Sequence, residues 1–168
     1  MAAQSLERIP AGSDVFIDAN ILVYGVSGQS QQCRQLLERC SREEVIGICL
    51  FEIVNEATHR FMLAEAKSKG LITSETARDL RQHYKLIPTL TDYWRDTERV
   101  LSLNILLLAT SEDVVRAAHK ERLTAGLLTN DSMIVSCMRQ YGLKSLATRD
   151  SDFERVPGIT VFKPDDLH

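Results

Sequence analysis

The sequence predicts an α/β fold, a single three-layer domain in which helices flank a central parallel sheet. Short runs of β-branched and other apolar residues alternate with segments of helical periodicity, which is the pattern of parallel strands joined by helices. A length of 168 residues suits one ordinary domain. Because the chain contains no internal repeat, low-complexity tract or linker, we expect residues 1–168 to form one domain.

The first part of the chain predicts two strands, each followed by a helix. Residues 1–13 are polar and carry no structural signal. A run of β-forming residues predicts a strand at about 14–18, followed by a short helix or turn that ends at Gly25. An apolar stripe at helical spacing predicts a helix over 27–41, and β-branched residues predict the second strand at 45–49.

Helices predominate in the middle of the chain. Apolar residues at helical spacing predict a helix from about residue 51 to 69. We predict two further helices at 73–83 and 92–101, with a short extended piece at 85–87 between them. The chain is therefore expected to carry a helical middle segment at about 61–113.

The last part of the chain returns to alternating strands and helices. Acidic residues at 112 and 113 favour a helix N-terminus there, and apolar runs bounded by polar residues predict the strands. In chain order we predict a strand at 105–108, a helix from 111 to about 124, an apolar stretch at 127–131 that ends in an acid, a helix at 132–141, and strands at 145–148 and 158–162.

Composition limits the classes of function. The net charge is only −3, so a polyanionic partner must be met by a local basic patch or by bound metal. The four cysteines form no C-x-x-C pair, which favours buried thiols over a zinc site. The N-terminus does not resemble a signal peptide, and the longest apolar run is too short to span a bilayer. We therefore expect a cytoplasmic protein without membrane contact.

Acidic residues follow the predicted strands at three points. Asp18 ends the first strand, Asp131 ends the stretch at 127–131, and Asp150 and Asp152 follow the strand at 145–148. The carboxyl ends of parallel strands share one edge of the sheet, and ligands bind at that edge in open α/β folds. We therefore expect these acids to meet although they are far apart in sequence.

Glu52 and Glu56, one turn apart early in the helix after the second strand, are a further candidate pair. Crowded carboxylates repel one another and resist simultaneous ionisation, and a divalent cation would stabilise them. Oxygen ligands alone favour Mg²⁺ or Mn²⁺ over zinc, and these metals promote displacement at phosphorus. Taken singly, each aspartate could instead cap a helix or turn, and each glutamate could be solvated surface.

Sequence motifs of several other enzyme classes are absent. The chain has no P-loop, no dinucleotide-binding fingerprint and no G-x-S-x-G nucleophile elbow. Asn20 stands where a phosphatase with an aspartyl nucleophile would need a second aspartate two residues after Asp18.

Four blocks of sequence together resemble the PIN-domain family, the ribonuclease fold shared by toxins of the VapC type. In the family's order they are FIDANILVY at 16–24, NEATHRFM at 55–62, LLTNDS at 127–132 and LATRDSDF at 146–153. The resemblance implies an endonuclease that depends on Mg²⁺ or Mn²⁺ and acts on RNA. It also implies a homodimer and, in many members, a cognate antitoxin that blocks the site.

The resemblance assigns roles to individual residues. Asp131 and Asp150 match catalytic acids of the most specific blocks, and Glu56 is preferred over Glu52, which remains an alternative ligand. The full implied set is Asp18, Glu56, Asp131 and Asp150 as catalytic and metal-binding acids, Asp152 as a further metal ligand, and Asn20 as a supporting residue.

Basic residues near these blocks are candidates for contacts with the RNA backbone. They are Arg60 and Arg149, together with Lys67 and Lys69. Two alternatives to the ribonuclease stay open, namely a catalytically silent PIN-like module that binds RNA or a protein partner, and a structure-specific DNA nuclease on the same fold.

Overall fold

A six-stranded parallel sheet forms the centre of the computed structural model, which describes residues 3–167. Every neighbouring pair of strands is parallel, in the order β1–β6–β5–β2–β3–β4. The strands are β1 (Gln4–Ser5), β2 (Asp14–Ile17), β3 (Ile46–Leu50), β4 (Leu106–Leu108), β5 (Ser145–Ala147) and β6 (Thr160–Lys163).

Helices flank this sheet and connect its strands, as the sequence predicts. In the described part of the chain they are α1 (Ala19–Val26), α2 (Gln31–Ser41), α3 (Phe51–Ser68), α4 (Ala77–Gln82), α5 (Asp92–Leu101), α6 (Glu112–Ala125) and α7 (Thr129–Gln140). None of the helices within residues 3–167 is both long enough and apolar enough to cross a membrane.

The core lies on both sides of the central strands. Val15, Phe16 and Ile17 of β2 are all fully buried, as expected for a parallel strand covered on both faces. Helix α2 packs so closely on β3 that a Cβ atom at Gly47 would lie 2.9 Å from the Sγ atom of Cys40. All four cysteines are buried thiols, which confirms the prediction made for them.

The helical middle has a small core of its own. It lies beside α3 and consists of Leu63, Ala66, Ile72, Leu80 and Leu90.

The carboxylate of Glu65 is buried beside this small core and ties α3 to the start of α5. It accepts hydrogen bonds from the backbone N–H groups of Thr91 at 2.9 Å and Tyr93 at 2.8 Å, and from the ammonium of Lys69. Burial raises the pKa of Glu65, but these hydrogen bonds outweigh burial and lower it to about 2.

Two predicted helices and one predicted extended piece differ from the structure. The helix predicted over 27–41 begins only at Gln31, because the Ser30 hydroxyl caps it by accepting from the Cys33 N–H. The helix predicted over 73–83 is reduced to α4, since the Asp79 carboxylate holds the preceding residues in a turn. The extended piece predicted at 85–87 is wrong, because residues 84–89 form a 3₁₀ helix.

Two further corrections concern strands. Residues 127–131 do not end a strand. They form a short loop and the first turn of α7. The opening residues, for which no helix or strand was predicted, contain β1 and a 3₁₀ turn at Leu6–Arg8. Leu6 and Ile9 are nearly fully buried there, so isolated apolar residues anchor this segment through tertiary packing. Residues 1 and 2 lie outside the described part of the chain.

Candidate active site

Two of the predicted acids lie at the carboxyl edge of the central strands. Asp18 directly follows β2 and caps α1, where its carboxylate accepts from the Ala19 N–H at 2.7 Å. Asp150 follows β5 and caps the 3₁₀ turn Ser151–Arg155, accepting from the Asp152 N–H at 2.8 Å. Because β2 and β5 are neighbouring strands, the parallel register brings both carboxylates to one edge of the sheet.

A hydrogen-bond network joins the two strand ends. The hydroxyl of Thr148, which is fully buried, donates to Asp18 at 2.6 Å and accepts from the Asp150 N–H at 3.0 Å. The Asn20 amide donates to the Asp18 carboxylate and, at 3.2 Å, to Thr148. Its carbonyl oxygen accepts from the Arg149 N–H at 2.9 Å. Thr148 and Asn20 therefore hold the Asp18 carboxylate in one orientation.

Asn20 was expected to support Asp18, and its contacts agree with that expectation. Thr148 was not singled out, although it stands inside one of the family-like blocks. The signal that could have found it is a hydroxyl residue placed between a buried strand and an acidic turn, a position where a side chain can bond to both.

Asp131 reaches the site from a helix and not from a strand. It lies half-buried in the first turn of α7. The loop before α7 begins at Gly126, whose φ of +63° ends α6 in the left-handed conformation. Arg155 fixes this loop by donating to the carbonyl oxygens of Ala125 at 2.6 Å and Gly126 at 3.1 Å. Arg155 also pairs with Asp152 at 2.7 Å.

The electrostatics show that the acids act on one another. Burial raises the pKa of Asp131, and three neighbouring carboxylates raise it further, to about 6. These neighbours are, in order of effect, Asp150, Asp18 and Asp152. The Arg155 charge opposes this shift. Asp18, Asp150 and Asp152 therefore lie within electrostatic reach of Asp131.

Asp18 is the most deeply buried of these acids. Burial raises its pKa, while the hydrogen bonds from Thr148 and the Ala19 N–H lower it. The negative charge of Glu56 raises the pKa of Asp18, and the positive charge of Arg60 lowers it. Glu56 and Arg60, which both belong to α3, are thus close enough to influence Asp18.

The two candidate glutamates differ in their surroundings. Glu56 is half-buried and acts on Asp18, whereas Glu52 is exposed and its charge raises the pKa of the Cys137 thiol. Both line a small cleft together with Asn130. The position of Glu56 associates it with the aspartates more directly than that of Glu52.

The donor set is suited to a hard divalent cation. Every candidate ligand is a carboxylate, and oxygen-only sets favour Mg²⁺ or Mn²⁺. The raised pKa of Asp131 reflects negative charge that a cation would neutralise. Within residues 3–167, however, no three His, Cys, Asp or Glu side chains are grouped tightly enough to hold a metal ion together. Asp152 would also have to release Arg155 to serve as a ligand.

The predicted basic contacts fall into two pairs. Lys67 forms an ion pair with Glu75 at 2.9 Å, and Lys69 forms one with Glu65, so both lysines are already engaged. Arg60 and Arg149 instead lie over the ring of Tyr24, a residue that the sequence did not single out.

Comparisons with known proteins show what the chain is similar to. The model of the PIN domain family matches residues 15–159. Ribonuclease VapC6 of Methanocaldococcus jannaschii is 27% identical over 154 residues, covering 90% of this chain and 97% of the relative. Ribonuclease VapC2 of the same organism is 22% identical, covering 89% and 93%.

Solved structures of similar fold include toxin–antitoxin proteins. The VapBC2 complex of Rickettsia felis, bound to a promoter DNA fragment, aligns with a TM-score of 0.59 at 15% identity, covering 90% of this chain and 99% of that one. VapC20 of Mycobacterium tuberculosis, a toxin that cleaves the sarcin–ricin loop, aligns with a TM-score of 0.56 at 10% identity, covering 86% and 96%.

Proposed function

The chain belongs to the PIN domain family, and we propose that it is an endoribonuclease that depends on Mg²⁺ or Mn²⁺ and hydrolyses phosphodiester bonds of RNA. The observation that carries this proposal is that Asp18 and Asp150 meet at the carboxyl ends of neighbouring strands, joined through Thr148, with Asp131 close enough for both to raise its pKa. The two curated relatives, both named as ribonucleases, support RNA as the substrate.

The acidic edge supplies the ligands for the metal. Asp18, Glu56, Asp131 and Asp150 would hold it, with Asp152 as a further ligand, once these side chains move closer together than they lie in the described residues 3–167. A bound Mg²⁺ or Mn²⁺ supplies the positive charge that activates water and stabilises the charge developing at phosphorus. Thr148 and Asn20 keep the Asp18 carboxylate oriented toward the edge, which removes the need to order it when substrate arrives.

We further propose that the enzyme is the toxin of a toxin–antitoxin pair, with an antitoxin that covers the acidic edge. This rests on similar solved structures, which include a toxin–antitoxin complex from Klebsiella pneumoniae at a TM-score of 0.56 and 19% identity. The rival, a catalytically silent binding module, is disfavoured because all the family-like acids are present, with three aspartates acting on Asp131 and Glu56 acting on Asp18.

The test is cleavage of labelled single-stranded RNA, with single-stranded and duplex DNA as parallel substrates. We expect RNA to be cut in Mg²⁺ or Mn²⁺ and cleavage to stop on addition of EDTA. Asp131→Asn should abolish cleavage. The matched control Asp113→Asn changes an exposed aspartate in the first turn of α6 and should not. Cleavage that survives exhaustive chelation would refute the metal mechanism, and preferential cleavage of DNA would refute the substrate.

A further inference from the structure

Two arginines gather around one aromatic ring beside the acidic edge. The guanidinium carbons of Arg60 and Arg149 lie 5.7 Å and 5.6 Å from the ring centroid of Tyr24. The Arg149 guanidinium also donates to the Tyr24 hydroxyl at 3.1 Å. Both positive charges are thus placed against the same ring, and cation–π attraction favours each of these positions.

Neither arginine is neutralised by a carboxylate. Within residues 3–167, every ion pair involves some other basic residue. Neither Arg60 nor Arg149 lies within ion-pair distance of an acid. This contrasts with Lys67 and Lys69, which are both paired. A guanidinium group without a carboxylate partner can bind a phosphate through two parallel hydrogen bonds.

The chain places this pair next to the candidate active site. Arg149 directly precedes Asp150, and its backbone N–H is held by Asn20. Arg60 is one turn beyond Glu56 on α3 and close enough to lower the pKa of Asp18. A phosphate bound here would therefore be a neighbour of the phosphodiester at the acids.

Tyr24 and Arg60 also line a cleft in the surface. Its walls include Val23, Leu63 and Ala64, and Gln29 contributes a side-chain amide. This lining, in which apolar side chains stand beside polar ones, suits a nucleobase, which has an apolar face and a hydrogen-bonding edge. Glu75 also lines the cleft, but its carboxylate is engaged by Lys67.

Building on the proposed ribonuclease function, we propose that these residues form a subsite for the nucleotide next to the cleaved bond of single-stranded RNA. Arg60 and Arg149 bind its phosphate, Tyr24 positions both arginines, and the cleft with Gln29 receives its base. The base must be unpaired and unstacked to enter the cleft, so the subsite selects single strands over duplex.

Binding measurements test the subsite separately from catalysis. The protein carries Asp131→Asn, and fluorescence anisotropy in Mg²⁺ buffer reports its affinity for labelled 12-nucleotide oligo(A), oligo(C) and oligo(U) and for an RNA duplex. We expect Arg60→Ala and Arg149→Ala each to weaken single-strand binding about tenfold and to reduce the log–log salt slope by about 0.7. Gln29→Ala should reduce the differences among the three oligonucleotides.

The matched control is Arg42→Ala. Arg42 precedes β3 at the opposite edge of the sheet and pairs with Glu44 at 2.7 Å, so its loss should leave binding unchanged. Tyr24→Leu should weaken binding and make the effect of Arg60→Ala smaller than in the parent, because the residues act as a unit. Tyr24→Phe, which keeps the ring, should retain most of the affinity.

Three results of the binding measurements would refute the proposed subsite. It is wrong if Arg60→Ala and Arg149→Ala bind every oligonucleotide as tightly as Arg42→Ala, if the duplex binds as well as the single strands, or if no oligonucleotide binds. Loss of the proposed cleavage activity would not by itself produce any of these results. Conversely, metal-dependent cleavage with unchanged binding by the arginine variants would retain the ribonuclease and reject the subsite.

Discussion

Glu56 and Glu52 stand one turn apart on α3 and act on different groups. Glu56 raises the pKa of Asp18, whereas Glu52 acts on the buried thiol of Cys137. We therefore expect Glu56→Gln to abolish cleavage and Glu52→Gln to leave most of it. Steady-state cleavage of one RNA substrate by both variants, with their folding checked by circular dichroism, makes the comparison. Greater loss in Glu52→Gln would place the ligand at the start of the helix.

Asp131 contributes unfavourably to the stability of the metal-free protein. Its folded pKa of about 6 lies above its ordinary value of 3.8, so the unfolded state releases the proton at lower pH than the folded state. The free energy of unfolding should therefore fall as pH rises from about 4 to 6 and stay low above 6. The residue is partly exposed, so solvent screening reduces the effect to about 1 kcal/mol.

We therefore expect Asp131→Asn to raise the melting temperature of the metal-free protein at pH 7.5. Mg²⁺ should raise the melting temperature of the wild type, because it binds only the folded site, and this shift should be smaller in the variant. Differential scanning calorimetry in EDTA and in Mg²⁺ measures both effects. A carboxylate in the first turn of a helix gains about 0.3–1 kcal/mol from the helix dipole. A lower melting temperature for Asp131→Asn in EDTA would mean that this gain exceeds the repulsion.

Some site residues could be predicted from sequence because their positions follow from topology. Asp18 and Asp150 end strands, and a parallel sheet puts such ends at one edge. Tyr24 and Arg155 could not be assigned in the same way. Their roles depend on hydrogen bonds and ring contacts between segments far apart in the chain, and no local pattern encodes these.

Elements with strong local signals were predicted closely. Strands β2 and β3 are continuous apolar runs, and helix α5 has the bounds that its periodicity predicts. Strand β1 has two residues and exists through pairing with β6, so it leaves almost no local signal. The stretch at 127–131 has the composition of a buried strand, but its residues 129–131 belong to α7. A short apolar run does not by itself distinguish a buried strand from a segment of buried helix.

Glu65 joins two helices, because its carboxylate on α3 binds the backbone at the start of α5. Its folded pKa of about 2 lies below the ordinary 4.5, so its contribution to stability is fully present above about pH 4.5 and is lost as pH falls toward 2. The side chain is only 3% exposed. We expect Glu65→Gln to lower the free energy of unfolding by about 2–3 kcal/mol at neutral pH.

Urea unfolding at pH 7 and pH 3 measures this contribution. The difference between wild type and Glu65→Gln should be large at pH 7 and smaller at pH 3. Glu75→Gln is the control, because Glu75 forms only an exposed ion pair with Lys67 and should change stability by less than about 1 kcal/mol. Equal effects of the two substitutions would contradict the role of the buried carboxylate.

At the scale of the whole molecule, the apolar residues of the helical middle divide into two groups. Phe61 is buried in the main core, and Met62 and Tyr93 pack partly buried against the hydrophobic clusters. Trp94 and Leu101 of α5 remain 49% and 50% exposed. They are seven residues apart and therefore share one face of the helix, which the single chain leaves in contact with water.

We expect this face of α5 to be buried in a homodimer, since twofold dimers are the commonest oligomers and place the same patch on both subunits. Light scattering coupled to size exclusion at micromolar concentration should give the mass of a dimer for the wild type. Trp94→Ser combined with Leu101→Ser should give a monomer, because it removes the apolar face. The monomer should stay folded, because neither side chain contributes to a buried cluster. Leu123→Ser removes a more exposed leucine, on α6, and should leave the dimer intact. A monomeric wild type would refute the dimer, whereas dissociation by Leu123→Ser alone would move the interface from α5 to α6.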